Sequence, residues 1–284
     1  MAPPIRVLFL ETSAIVDLVL KKGKHLELLE AINAPNTSRV TNNYVLMELK
    51  RGVIQYMCYL HEVCSNSSSL GEVVSVVAKL TGQPHRLGTC LELLTGIFLG
   101  VGAEPTGQVS IDEYLLRKAK EFLNLQAFRL WSSARKNLVD GLGSNPMECY
   151  RDIEGPTIDG TTLINIRKSR CTSSAFECSV KRFFGDNKKS FEAIVQCLDL
   201  LETKDEEQKK SRSAIHEATR LCTSGSYKIS NRDGYQKCWK CGDAIIAVSA
   251  PSEAQLLTSN QKHFNVLGQA LSKGVFPPPL NQSG

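Results

Sequence analysis

A chain of 284 residues, 42% hydrophobic and 22% charged, has the composition of a globular protein and the length for one large domain or two small ones, so it can bury a core of its own. Its 34 Lys and Arg against 29 Asp and Glu leave a formal charge of +5, too mild to identify a polyanionic partner and compatible with one. The opening MAPPIRVLFLETS has one early Arg and an apolar run cut short at Glu11, unlike a signal peptide, and no apolar stretch reaches membrane-spanning length; the expectation is a soluble, cytoplasmic protein.

The first predicted element is a strand over Arg6 to Leu10. A helix follows, with Ser13 as its N-cap and an apolar stripe of Ile15, Leu18, Val19, Leu26, Leu29 and Ile32. After a Pro/Asn/Ser turn, Asn42 or Asn43 caps a helix expected from Tyr44 to Val63, which SNSSSLG at 65–71 ends. Helical segments are predicted near 70–81, 85–101, 110–140, 173–183, 187–203 and 205–223. Phe122, Leu125, Phe128 and Trp131 form a stripe at three- and four-residue spacing that reads as core packing. The charge run ETKDEEQKKSRS at 202–213 reads as a solvated face, with a basic edge of Lys209, Lys210 and Arg212 as its functional alternative. GDAIIAVSA is then a short helix, AQLLTS a short strand, NQKHFNVLGQAL another helix, and GVFPPPLNQSG a frayed tail. Helix and strand alternate at both ends of the chain around a helical middle, the pattern of an α/β unit interrupted by a helical insertion.

Three acids stand out by position. Glu11 follows the first strand, Glu48 lies one turn inside the helix opened by TNNY, and Asp243 starts GDAIIA. Ligand sites of open α/β sheets form beyond the carboxyl ends of the strands, where Glu11 must sit. Thr258 and Asn260 end the second short strand and face the same crevice if the two strands are parallel neighbours. Clustered carboxylates repel one another unless a cation neutralises them, and an oxygen-only donor set suits Mg²⁺ or Mn²⁺ rather than zinc. Singly, each acid has a plainer reading. Glu11 can serve the N-terminus of its own helix together with Ser13, Glu48 can pair with Lys50 or Arg51, and Asp243 can be an N-cap.

LFLETSAIV, then TNNYVLMEL, then GDAIIA and LLTSNQKHF resembles, in that order, the motif series of the PIN-domain nucleases, the family that includes the VapC-type toxin ribonucleases. The resemblance covers about residues 5–60 and 238–270. It implies a PIN-like three-layer α/β/α fold with a mostly parallel central sheet, built from 1–64 and 236–276, with 65–235 as a mainly helical insertion and 277–284 as a tail. It further implies metal-dependent endonuclease cleavage of RNA by Mg²⁺ or Mn²⁺. Glu11, Glu48 and Asp243 match the metal-ligating acids, and Asn260 with Thr258 matches the position that orients water or the scissile phosphate. Ser13, Lys50 and Arg51 are the candidate substrate-binding residues, and Lys188, Lys189, Lys209 and Arg212 of the insertion can neutralise a nucleic-acid backbone. An antitoxin or other protein partner and pairing as homodimers come with the same resemblance.

Two departures are visible. The first acid is Glu where the family typically has Asp, which lengthens the reach of the carboxylate by one carbon–carbon bond, about 1.5 Å. The interval between Glu48 and Asp243 is also much longer than in compact members. The alternative reading is a catalytically degenerate PIN-like module that binds RNA or a protein through its helical insertion.

Other chemistry finds less support. CWKC puts Cys238 and Cys241 just before Asp243, but a zinc site needs four ligands; His216 and Cys222 are the nearest upstream candidates, and there is no second C-x-x-C. The ten cysteines read as reduced thiols, and Asn36-Thr37-Ser38 and Asn66-Ser67-Ser68 as chance glycosylation triplets. Neither a P-loop nor GxGxxG occurs, and His25, His61, His85, His216 and His263 sit in no catalytic motif, with His263 expected to pack or face solvent.

Overall fold

The computed structural model describes residues 4–80, 84–100, 110–143, 158–159, 162–163, 179–200, 206, 209, 213, 215–217 and 241–277. Its strands are β1 (Arg6–Leu10), β2 (Thr37–Thr41), β3 (Gly141–Leu142), β4 (Ile158–Asp159), β5 (Thr162–Leu163), β6 (Gln255–Leu257) and β7 (Val275–Phe276). The helices are α1 (Thr12–Leu20), α2 (His25–Ile32), α3 (Asn43–Leu49), α4 (Gln55–Ser65), α5 (Leu70–Ala78), α6 (Pro84–Gly100), α7 (Ile111–Ser132), α8 (Ser179–Asp186), α9 (Lys188–Leu200), α10 (Gly242–Ser249) and α11 (Gln261–Leu271). The chain divides into two units. The first holds Met1–Met47, Ser133–Ile153 and Ser169–Gly284, the second Glu48–Ser132 with Glu154–Lys168. No described helix is long and apolar enough to cross a membrane.

The first unit is α/β, built on a five-stranded sheet in the order β3-β2-β1-β6-β7 in which every pairing is parallel. Phe9 of β1 stands between Val40 of β2 and Leu256 of β6. Successive strand residues point to opposite faces, yet Leu8, Phe9 and Leu10 are all fully buried, so helices cover this strand on both sides. α9, α10 and α11 pack on one another, while α1 packs against α2 and the wide turn Ser133–Asn137.

Several expected elements are redrawn by tertiary contacts. The helix expected to run from Ser13 past Ile32 breaks into α1 and α2, because Lys21 and Gly23 take left-handed backbone (φ 54° and 49°). Glycine suits the left-handed backbone at 23, where a β-carbon would lie 2.6 Å from Asp17 Oδ2 and oblige that side chain to move. The break resets the helical phase: Leu28, Ala31 and Ile32 are buried, whereas Leu26 and Leu29 of the expected stripe are exposed. Asn42, rather than Asn43, caps α3, its Oδ1 accepting from Val45 N (3.0 Å) while its Nδ2 donates to Ser249 Oγ of α10 (2.6 Å). The helix expected from Tyr44 to Val63 kinks at Gly52 (φ −93°, ψ −109°). The expected frayed tail instead supplies β7 at the sheet edge. There α11 approaches so closely that a β-carbon at Gly268 would fall 2.5 Å from Val275 Cγ2 and 2.8 Å from Lys273 O. Lys273 also donates from Nζ to Ala247 O (2.8 Å) and Ala250 O, closing the carboxyl end of α10 with a cation.

The second unit is helical, with β4 and β5 as a short antiparallel pair. α4 lies along α7, joined by α5 and α6. The buried seam of α7 runs through Leu116, Ala119, Leu123, Ala127 and Leu130, and its alanines let the two backbones approach. This phase corrects the expected aromatic stripe: Trp131 is buried, but Leu125 and Phe128 are exposed. In the charge run, Lys209 pairs with Glu206 at an exposed 2.8 Å, which fits a solvated helix face. Lys210, Arg212, Cys222 and Cys238 lie outside the described residues; the five described cysteines, Cys58, Cys64, Cys90, Cys197 and Cys241, form no disulfide.

Candidate active site at the carboxyl ends of the central strands

Chain order moves from β1 to β2 to β3 in one direction across the sheet and from β6 to β7 in the other, so the order reverses between β1 and β6. Crevices of doubly wound sheets open at such a reversal, beyond the strand carboxyl ends. There β1 runs on into Glu11 and β6 into Thr258. The two ends are tied by Glu11 N donating to Leu257 O (3.2 Å), and β2 joins them through Thr41 Oγ1 donating to Leu10 O (2.8 Å).

Glu11, not Ser13, is the N-cap of α1 (φ −91°, ψ 175°). Its carboxylate accepts from Ser13 N (2.9 Å) and Ala14 N (3.1 Å) and is met closely by the Ser13 hydroxyl. The residue is 3% exposed, and burial pushes its carboxyl up to about 7; hydrogen bonds from Ser13 and Thr258 hold the rise in check, and repulsion from Asp243 adds to it.

Ser13 Oγ is a hub. It accepts from Ser259 N (3.1 Å), Ser259 Oγ (2.9 Å) and Asn260 N (3.2 Å), and Thr258 Oγ1 lies 3.5 Å away. Thr258 Oγ1 in turn accepts from Asn260 N (2.9 Å). One hydroxyl therefore fastens the start of α1 to the loop after β6. Ser13→Ala removes the acceptor of Ser259 N and leaves Asn260 N with Thr258 alone, so a stability loss of about 1–3 kcal/mol is expected in urea unfolding. An unchanged midpoint would show that water replaces the hydroxyl at no cost.

Asp243 lies in the first turn of α10, where Cys241 holds the cap position without a side-chain bond, so Asp243 is not the N-cap. Its Oδ2 accepts from His263 Nδ1 of α11 at 2.7 Å. His263, expected to pack or face solvent, is the site residue that the sequence reading missed. The available signal was Phe264: fully buried, it fixes the rotation of α11.

The structure thus brings together Glu11, Ser13, Thr258 and Asn260 through hydrogen bonds, and couples Asp243 to Glu11 through charge. Glu48, half-buried in the last turn of α3, belongs to the second unit, as do Lys50 and Arg51. Lys50 and Arg51 were expected at a surface that meets nucleic acid; both are buried, 7% and 8% exposed, and present little charge to solvent. In the first unit, Lys24 lies beside the loop, its Nζ donating to Gln261 Oε1 (2.8 Å). Among the described residues, no group of three or more His, Cys, Asp and Glu side chains stands ready to hold an ion. Glu11 and Asp243 nonetheless fit a hard divalent cation in donor chemistry: they offer only oxygen, and the repulsion between them is what such a cation relieves. No family model matches the chain, and no curated protein or solved structure matches it.

Proposed function

We propose that the chain is a cytoplasmic PIN-like nuclease that hydrolyses phosphodiester bonds of RNA with Mg²⁺ or Mn²⁺. The observation that carries the reading is geometric: Glu11 follows β1 at the strand-order reversal between β1 and β6, and Asp243 stands in the first turn of α10. The motif order supports it, and so does the topology. If its crossovers are right-handed, the β1-to-β2 connection would cover one face of the sheet and α10 and α11, in connections running the other way, the opposite face, which is compatible with the three-layer arrangement that the resemblance implies.

Glu11 and Asp243 would hold the cation. When bound, it supplies neutralising charge and lowers the pKa of its water to make a nucleophile near neutral pH. The chain's own residues position. Thr258 and Ser13 hold Glu11 in place, and the Asn260 amide, which closes no helix cap, is free of that duty and is assigned to orienting the scissile phosphate. Lys24 neutralises backbone charge at the edge of the loop. A protein partner such as an antitoxin, or pairing of two copies, belongs to this reading through the family resemblance alone.

A second reading, a degenerate module that binds RNA or protein through the helical unit, is favoured by one observation. Both carboxylate oxygens of Glu11 are hydrogen-bonded to the start of α1. Incubation of labelled single-stranded RNA with the full chain separates the two. Cleavage with Mn²⁺ and none with EDTA is expected, whereas RNA that is bound but intact in Mn²⁺ overturns the nuclease reading in favour of the module.

A further inference from the structure

The segment Thr258–His263 touches both acids of the site. At its start, Thr258 bonds to Glu11, and Asn260 N donates to Ser13 Oγ (3.2 Å); at its end, His263 Nδ1 donates to Asp243 Oδ2 (2.7 Å). β6 anchors the first residue, where Thr258 N donates to Phe276 O of the neighbouring strand (3.0 Å), and α11 anchors the last. Such a bracket spaces two carboxylates that repel each other.

We propose that His263 is a positioning residue for Asp243: it ties one carboxylate oxygen, fixes the rotamer and aims the acid at the cation site. The inference rests on the nuclease reading above. Its chemistry is that of outer-shell partners in general, which orient a ligating group by a hydrogen bond to it. α10 and α11 pack on each other, and each also buries apolar residues, Ile245 on one and Phe264 and Leu267 on the other, so apolar packing holds both helices besides the polar pair. The polar contact is partly open to solvent, with side chains 19% and 38% exposed for His263 and Asp243, so helix packing alone leaves it unexplained.

The test is Mn²⁺ binding by the full chain, followed by electron paramagnetic resonance at a single pH, with circular dichroism as the check on folding. His263→Leu is expected to weaken Mn²⁺ binding by about 10–100-fold. His263→Asn, which puts an N–H where Nδ1 stood, is expected to restore most of it. If His263→Leu fails to fold, His263→Gln takes its place, with the donor displaced by one bond. Binding by the Leu or Gln variant equal to wild type overturns the inference and leaves the nuclease reading standing. Equal weakening in the Asn variant overturns it as well, since the hydrogen bond would then not be the cause. Absence of Mn²⁺ binding in wild type overturns both.

Discussion

Asp243→Asn is expected to lower Mn²⁺-dependent RNA cleavage by about 10²–10³-fold, the loss that follows when several kcal/mol of charge stabilisation disappear at ~1.36 kcal/mol per tenfold. Asn keeps the size of Asp and retains an oxygen that accepts from His263 Nδ1, so the contact between α10 and α11 survives. Only the charge is removed. Thermal unfolding is therefore expected near the wild-type temperature, which separates a chemical role from a structural one. The substitution also relieves the repulsion that Asp243 exerts on Glu11, so the Glu11 carboxyl should titrate lower in the variant. Equal cleavage by both proteins would mean that the observed activity comes from elsewhere.

The parts of the fold legible in the sequence are those whose pattern is local. β1 shows as five mostly apolar residues that a glutamate terminates, and α10, β6 and α11 alternate at the predicted places. β3 was not legible: Gly141 and Leu142 are two exposed residues beyond α7, and two residues carry no period. The break between α1 and α2 depends on left-handed backbone at Lys21, a residue whose type does not announce it. β7 lies in a stretch that reads as a tail and becomes a strand because Gly268 lets α11 come close to it. In each case a tertiary contact decides what propensity leaves open.

At the site, the sequence located the strand-end residues Glu11, Thr258 and Asn260 because an apolar run followed by polar oxygens is a local signal. It did not locate the partners. The Glu11 cap depends on how its side chain turns back over its own helix, and the Asp243–His263 contact depends on how two helices pack. Nor did the sequence show that Lys50 and Arg51 are buried, since a basic pair in a helical sequence carries no local sign of the face it takes.

The largest stability effect is expected at Glu11, measured with EDTA present so that no cation contributes. Its carboxyl is pushed from 4.5 up to about 7 in the folded chain, chiefly by burial. Between those values the folded state binds more protons than the unfolded one, so stability falls as pH rises, and the ionised group costs about 3 kcal/mol above pH 7. Below 4.5 the carboxyl is protonated in both states and the penalty vanishes. Asp140, held below the usual carboxylate range by Arg39, and Glu72, lowered by Ser68, lose their stabilising contribution as pH falls. The bare pH profile of wild type therefore mixes opposing signs. The difference between wild type and Glu11→Gln cancels those distant groups. Gln sets an amide N–H against one of the α1 N–H groups that the carboxylate accepts from, a penalty that does not titrate and so shifts the difference without tilting it. In urea unfolding at pH 3.5, 5, 6, 7 and 8, the stability of wild type relative to Glu11→Gln is expected to drop by about 3 kcal/mol from the acid limit to the alkaline one. A flat difference would place Glu11 near its ordinary value and remove the electrostatic strain from this corner of the site.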